Sequence, residues 1–336
     1  MNVVVHRATA PLDKEAFEEL KRAYREENAR YTKKMLFRVG NGAGLYSEIG
    51  SLLECMMYCR LHGIAFSLYS DGANFAGENG WSDYFVPFCE ENHDKLNHYL
   101  NSRGFYGKDR WFRKFGAFLF KKKAHVDYLT QDCFQTLCTK EFKEIHFDWE
   151  LFHIHGNLRE EYAKLANLAF CFNEKTRKKI VGLIQGLHLP DRYVSVHVRS
   201  GDSYLAKRGK LQGVDATVEQ MRNAGRDISS VFVFTDDYRN VERMRELCPE
   251  WKVYTLAGEE ERGYYNAEFN RQSWEYRYEN IVKLFAMIEC CLNAETHFGY
   301  AGSCTNNYIY SVRACEKSDY ILLENVDYQA MPEKQY

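Results

Sequence analysis

The chain has 336 residues, a formal charge of −2, and 45% hydrophobic against 27% charged residues. That balance describes a folded globular chain with room for two domains, and it excludes disorder, collagen-like repeats and a whole-surface basic field for nucleic acid or membrane. Eleven cysteines, with no C-x-x-C pair and no second half of a zinc pattern, read as small buried side chains in a reducing compartment.

In chain order, residues 12–33 show helical spacing with Asp13 at the N-cap, a leading helix within residues 1–34. A strand over 35–39, the turn Gly40-Asn41-Gly42-Ala43-Gly44, a helix over 45–62 and a strand over 64–69 form a βαβ unit. From 72 to 158 the pattern is aromatic-rich, with helices expected at 90–103 and 108–120. The basic cluster of Arg110, Arg113, Lys114 and Lys121-Lys122-Lys123 reads as a solvated face. The aromatic residues Tyr69, Phe75, Trp81, Tyr84, Phe85, Trp111 and Phe112 read as mostly core. His153 and His155 flank Ile154 at strand spacing but have no matching acidic or cysteine pair, so no metal site is expected. Helices over 159–172 and 173–187 lead to the second half. There, strands at 192–199, 229–237, 252–256 and 296–302 alternate with helices at 215–224, 238–247, 278–294 and from about 305. The resulting domains are 35–186 and 187–320, with a tail over 321–336. The start lacks a signal-peptide pattern, no run approaches the ~20 apolar residues of a membrane span, and no N-x-Ser/Thr acceptor occurs. A cytoplasmic protein without an integral membrane segment is expected.

Chemistry gathers where strands of the second half end. In Val194-Ser195-Val196-His197-Val198-Arg199 the valines alternate with polar side chains, so one strand face is aliphatic and the other carries His197 and Arg199. Gly201 turns the chain, and Asp202 follows. The apolar run to Thr235 ends in Asp236-Asp237; the strand to Tyr300 ends in Gly302-Ser303-Cys304-Thr305-Asn306, which opens a helix. Carboxyl ends of parallel strands lie along one crevice, so these groups converge. An arginine fork and a helix start both suit a phosphate, and a carboxylate suits the donor edge of a guanine. Asp236 and Asp237 are also natural N-caps for the helix at 238.

In this order and spacing, "YVSVHVRSGD", "VFVFTDDYRNVERMRELCPEWKVYTL" and "IVKLFAMIECCLNAETHFGYAGSCTNNYIYSVRA" resemble the three peptide motifs of the α1,6-fucosyltransferase superfamily, which includes Nod-factor and protein O-fucosyltransferases. "VGNGAGLYSEIGSLLECMMYCRLHGI" is similar to that superfamily's first glycine turn and helix. The resemblance implies an α/β protein of GT-B fold, two facing Rossmann-like domains with parallel sheets. It further implies inverting transfer of fucose from GDP-fucose to a glycan hydroxyl, with no metal and no cofactor besides that donor substrate. By position, Arg199 holds the β-phosphate, His197 and one of Asp236/Asp237 the guanosine, and Ser303, Cys304 and Thr305 the diphosphate. Gly42 and Gly44 lie against donor sugar or acceptor across the cleft. The sequence departs from the pattern at Ser200, where the α1,6 enzymes carry a second arginine, and in "SYLAKRGK", which lacks their basic glutamate. Asp202, Asp215 and Glu48 are the candidate bases, and a step with little base assistance is an alternative. "HVRSGDSY" is also similar to the α1,2-fucosyltransferase pattern, so the linkage stays open. A dehydrogenase, suggested by the glycine turn and Asp71, is disfavoured because Leu45 stands at the third glycine. A transferase using another nucleotide sugar and a silent nucleotide-sugar-binding protein remain as alternatives.

Overall fold

The structure is a computed structural model, and it describes residues 7–10, 12–40, 42–105, 110–201, 213–300 and 302–323. Helix α1 (Lys14–Asn28) begins at Asp13, whose carboxylate accepts the Ala16 N–H at 3.0 Å. The expected βαβ unit follows as β1 (Lys33–Arg38), α2 (Leu45–His62) and β2 (Ile64–Tyr69). The helix expected over 90–103 does not form; a short strand β3 (Glu90–Glu91) and the single turn α3 (Asn97–Leu100) stand there. Asparagine side chains divert the backbone, because Asn92 Oδ1 accepts from the Asp94 N–H (3.0 Å) and Asn101 Nδ2 donates to the Leu36 carbonyl (2.9 Å). Helix α4 (Arg110–Ala124), strand β4 (Tyr128–Leu129) and helices α5 (Thr130–Leu137) and α6 (Lys140–Lys143) precede an antiparallel hairpin, β5 (His146–Trp149) and β6 (Ile154–Asn157). The N-terminal sheet is parallel in the order β3-β2-β1-β4.

The stretch read as one helix over 159–172 is broken into α7 (Leu158–Glu161), a 3₁₀ turn (Tyr162–Leu165) and α8 (Ala166–Ala169). Tyr162, Ala163, Leu165, Ala166, Leu168 and Ala169 are all buried, so no single apolar stripe favours a continuous helix over packing on every side. After α9 (Glu174–Gly186) come β7 (Val194–Val198), α10 (Val214–Asn223), β8 (Ser230–Thr235), α11 (Tyr238–Leu247) and β9 (Lys252–Tyr254). The chain continues through α12 (Asn266–Phe269), α13 (Trp274–Asn293), β10 (Thr296–Tyr300), α14 (Cys304–Glu316) and β11 (Asp319–Leu323). This second sheet is parallel in the order β11-β10-β7-β8-β9. Its outermost strand, β11, takes in residues 321–323, the first three of the expected tail; the rest of that tail lies outside the described residues.

Strand order dictates where a ligand can sit. The second sheet starts at β7, grows outward through β8 and β9, then returns to place β10 on the other side of β7. The crossovers therefore diverge between β7 and β10 and leave a crevice beyond their carboxyl ends. The first sheet has the same reversal between β1 and β4, so the turn after β1 is its counterpart. One apolar cluster runs through both lobes, from Phe37 and Phe66 to Ile180, Phe232 and Phe285, and fixes the cleft between them. This is the α/β class with two facing parallel-sheet lobes that the resemblance implied. The alternating pattern of β7 does not mark a water-facing edge: all five residues are buried, because β7 is the central strand and its polar face lies under α13 and α14.

Candidate functional site

A cleft of about 1810 Å³ separates the lobes and is lined from both sides, by Gly44, Tyr46 and Ser47 of the first lobe and by His197, Arg199 and the start of α14 in the second. The structure brings His197, Arg199, Asp236, Ser303, Cys304, Thr305 and Gly44 together on its walls. Asp237 and Gly42 are not among the lining residues, and Asp202 lies outside the described residues.

His197 is held in one state. Its ring lies between Phe234, 4.2 Å away at 12°, and Tyr300, 5.8 Å away at 18°. The Asn306 amide donates through Nδ2 to the Tyr300 carbonyl (3.1 Å), which leaves its oxygen to accept from His197 Nδ1 (2.8 Å). The proton therefore sits on Nδ1, and Nε2 is the acceptor of a neutral ring. Burial pushes the imidazole pKa down to about 3; the Asn306 bond opposes this and the Arg199 charge adds to it. His197 is thus a hydrogen-bond acceptor for a hydroxyl or N–H group and not a cation for phosphate.

Arg199 follows the end of β7, and its backbone N–H donates to the Tyr300 hydroxyl at 2.9 Å. Its guanidinium lies 5.7 Å from the Tyr264 ring centre and makes no hydrogen bond or ion pair among the described residues. Asp236 explains why the arginine is so placed. One carboxylate oxygen accepts the Ser200 N–H (2.7 Å) and the other the Tyr264 N–H (3.0 Å), so a single side chain clasps the loop carrying Arg199 to the loop carrying Tyr264. The loops meet glycine to glycine. A Cβ on Gly201, at φ +73°, would fall 2.3 Å from the Tyr264 carbonyl oxygen. Asp236 is a positioning residue in this geometry. Asp237 is removed from the site altogether: it caps α11 and pairs with Arg239, which holds its carboxyl below the usual range. Of the two aspartates to which a guanosine contact was ascribed, Asp236 lines the cleft and Asp237 does not.

Opposite β7, Ser303 caps α14 with its hydroxyl, and Cys304 and Thr305 form the first turn. First-turn N–H groups have no intrahelical acceptor and carry the positive end of the helix dipole, so this wall complements an anion beside Arg199. Across the cleft, the glycine turn is built around Glu48. Its carboxylate accepts the N–H groups of Gly40 (3.0 Å) and Ala43 (3.1 Å) and meets Arg103 Nη2 at 3.0 Å. Gly40 is required there: at φ +85° its Cβ would lie 2.2 Å from the Ala73 Cα. Glu48 is fully buried and outside the cleft lining. Asp215 is engaged with Arg243 at 2.6 Å and also stands outside the lining. Six acids that the sequence reading did not single out line the cleft: Glu54, Glu141, Glu144, Glu260, Glu261 and Glu268. Glu54 shares an α2 face with Ser47, Gly50 and Ser51, and burial raises its pKa to about 7 against the pull of Lys143 and Arg103.

No family model matches the chain, and no curated protein matches it either. Solved structures do match. A NodZ alpha-1,6-fucosyltransferase soaked with GDP-fucose covers 83% of this chain and 92% of its own at 16% identity and TM-score 0.49. POFUT1 in complex with GDP covers 87% and 98% at 8% identity and TM-score 0.46. A variant of Arabidopsis thaliana FUT1 in complex with GDP covers 95% and 77% at 14% identity and TM-score 0.45. Among the described residues, no helix is long and apolar enough to cross a membrane, and no group of three or more His, Cys, Asp or Glu could hold a metal ion.

Proposed function

We propose that the chain is an inverting glycosyltransferase that moves fucose from GDP-fucose to a hydroxyl of a glycan or glycoconjugate acceptor, without a metal ion. The observation that carries this reading is the meeting of Arg199, neutral His197 and the α14 N-terminus at the topological switch point of one lobe, facing the other lobe across a cleft. In the reaction an acceptor hydroxyl oxygen bonds to the anomeric carbon while the bond from that carbon to the β-phosphate oxygen breaks, and the hydroxyl proton passes to the departing diphosphate. Negative charge grows on the departing diphosphate as the sugar gains oxocarbenium character. The Arg199 fork and the N–H groups of Cys304 and Thr305 stabilise that charge in the way a divalent ion would. His197 accepts a hydrogen bond from the nucleoside or the sugar, and Asp236 keeps the arginine loop in register. None of the three bases considered from sequence is placed to act among the described residues, so the step is read as one with little base assistance. Glu54 stands ten residues along α2 from Gly44, about 15 Å at the helical rise, and belongs to an acceptor arm of the cleft. The eleven cysteines stand unpaired, which supports a reducing, cytoplasmic setting.

A nucleotide panel tests the reading. Thermal unfolding with GDP, GDP-fucose, GDP-mannose, UDP-sugars and NAD, each with and without EDTA, should show stabilisation by the guanosine diphosphates alone, indifferent to EDTA. A ligand at a hundred times its Kd adds about 2.7 kcal/mol. Stabilisation by a UDP-sugar or NAD alone overturns the donor assignment. Stabilisation by GDP with no release of GDP from GDP-fucose in the presence of glycan acceptors identifies a silent binding protein.

A further inference from the structure

The basic, aromatic stretch that the proposed reaction leaves unused forms α4, and none of its residues lines the cleft. Ala117 and Phe120 bury themselves against Leu36, Tyr69 and Leu129 on the sheet face opposite α2. A globular helix ordinarily hides its larger apolar side chains in this way. Here the arrangement is inverted. Trp111 (68% exposed), Phe112 (71%), Phe115 (53%), Phe118 (52%) and Leu119 (49%) face water. At about 100° per residue these five fall within an arc of roughly 120°, directly opposite Ala117 and Phe120. The adjoining α3 segment, whose Leu100 lies against Gly116, adds exposed Leu96 and Tyr99.

Charge decides what such a face meets. Residues 110–124 hold six Lys or Arg and no Asp or Glu. Lys121 pairs with Asp132 and Lys123 with Asp94, while Arg110, Arg113, Lys114 and Lys122 make no ion pair among the described residues. Lys122 lies over the Phe118 ring at 4.6 Å, and Arg113 over Phe105 at 6.0 Å, so cations border the apolar band. A second copy of the face would set unpaired cations against one another with no acid between them, a repulsive contact. A bilayer with anionic headgroups satisfies both halves at once, with aromatic rings at the headgroup–acyl boundary and lysine and arginine at the phosphates.

We propose that α4 is an interfacial anchor that seats the N-terminal lobe on an anionic lipid surface. The test is sedimentation of the full chain with phosphatidylcholine–phosphatidylglycerol vesicles and with pure phosphatidylcholine vesicles, alongside acrylamide quenching of tryptophan. Trp111 is the one exposed tryptophan of the five; Trp81, Trp149 and Trp251 are buried and Trp274 half-buried, so quenching reports on α4. The expected result is sedimentation with the anionic vesicles, weakened by salt, with Trp111 shielded from acrylamide. Lys114→Ala with Lys122→Ala should lower the partition coefficient about 25-fold, at about 1 kcal/mol for each basic residue removed. Trp111→Ser with Phe115→Ser and Phe118→Ser should abolish binding while leaving the melting temperature in place, since all three are exposed. The proposal is overturned if the unaltered chain stays in the supernatant with anionic vesicles, or binds both vesicle types equally and independently of Lys114 and Lys122. It is also overturned if sedimentation without lipid shows a dimer that the Ser variant disperses, which would identify a second copy as the cover of α4.

Discussion

Replacing Arg199 with alanine separates function from folding more cleanly than any other change in the cleft. Among the described residues its guanidinium makes no hydrogen bond or ion pair and lies, half-buried, 5.7 Å from the Tyr264 ring centre, a cation–π contact of about 1 kcal/mol. Stability should therefore fall by no more than about 1 kcal/mol, a few degrees in Tm at most. In the proposed reaction the same group donates paired bonds to the leaving diphosphate, and losing such a donor costs about 2.7–4 kcal/mol, or roughly 10²–10³ in kcat. Arg199→Lys should recover part of this, because the charge survives and the fork does not. The assay is GDP release from GDP-fucose with acceptor, run beside thermal unfolding of the ligand-free protein. Transfer within about threefold of the unaltered enzyme would refute the role, because so small a change is under 1 kcal/mol. A collapse of Tm would refute the reasoning from the other side, by showing that the side chain holds the two loops together.

Two further outcomes follow from buried and open positions in the same cleft. His197 has a folded pKa of about 3, against about 6.5 unfolded, and His297 is shifted in the same direction by burial. The unfolded chain thus binds more protons between these limits, so stability is full above pH 6.5 and declines as pH falls toward 3. His197 should cost about 1.4 kcal/mol between roughly pH 7.5 and 5.5, and urea unfolding of His197→Gln should show a pH slope shallower by that amount; equal slopes would mean that His197 is charged when folded. Gly50 sits mid-helix on α2, and a Cβ built there meets nothing within 4 Å. Gly50→Trp should fill the acceptor arm, leaving GDP binding unchanged and abolishing transfer to acceptor, whereas unimpaired transfer would place the acceptor elsewhere.

Much of the architecture was legible because the signals are local. The βαβ unit, the cap at Asp13, the helix ending at Gly63 and the alternation of strands and helices after residue 190 all follow from periodicity, turn glycines and capping residues. Asparagine-rich 92–101 misled helix periodicity because its side chains bond the backbone, and 162–169 misled it because burial on every side leaves no face to read. Strand β11 was hidden for another reason. A short run such as "DYILL" becomes a strand only where a partner edge, here β10, is present to receive it.

The sequence alone determined which groups could do chemistry: an arginine and a histidine at a strand end, acids after the next strand, hydroxyls at a helix start. Which of them stay open was decided by tertiary contacts, because a side chain can serve a ligand only with the lone pairs and protons that remain unspent after folding. Asp237 spends its carboxylate on a helix cap, Asp236 on two loops and Glu48 on the glycine turn. Arg199 retains its fork and His197 its Nε2, and the same partition leaves the apolar face of α4 open to water.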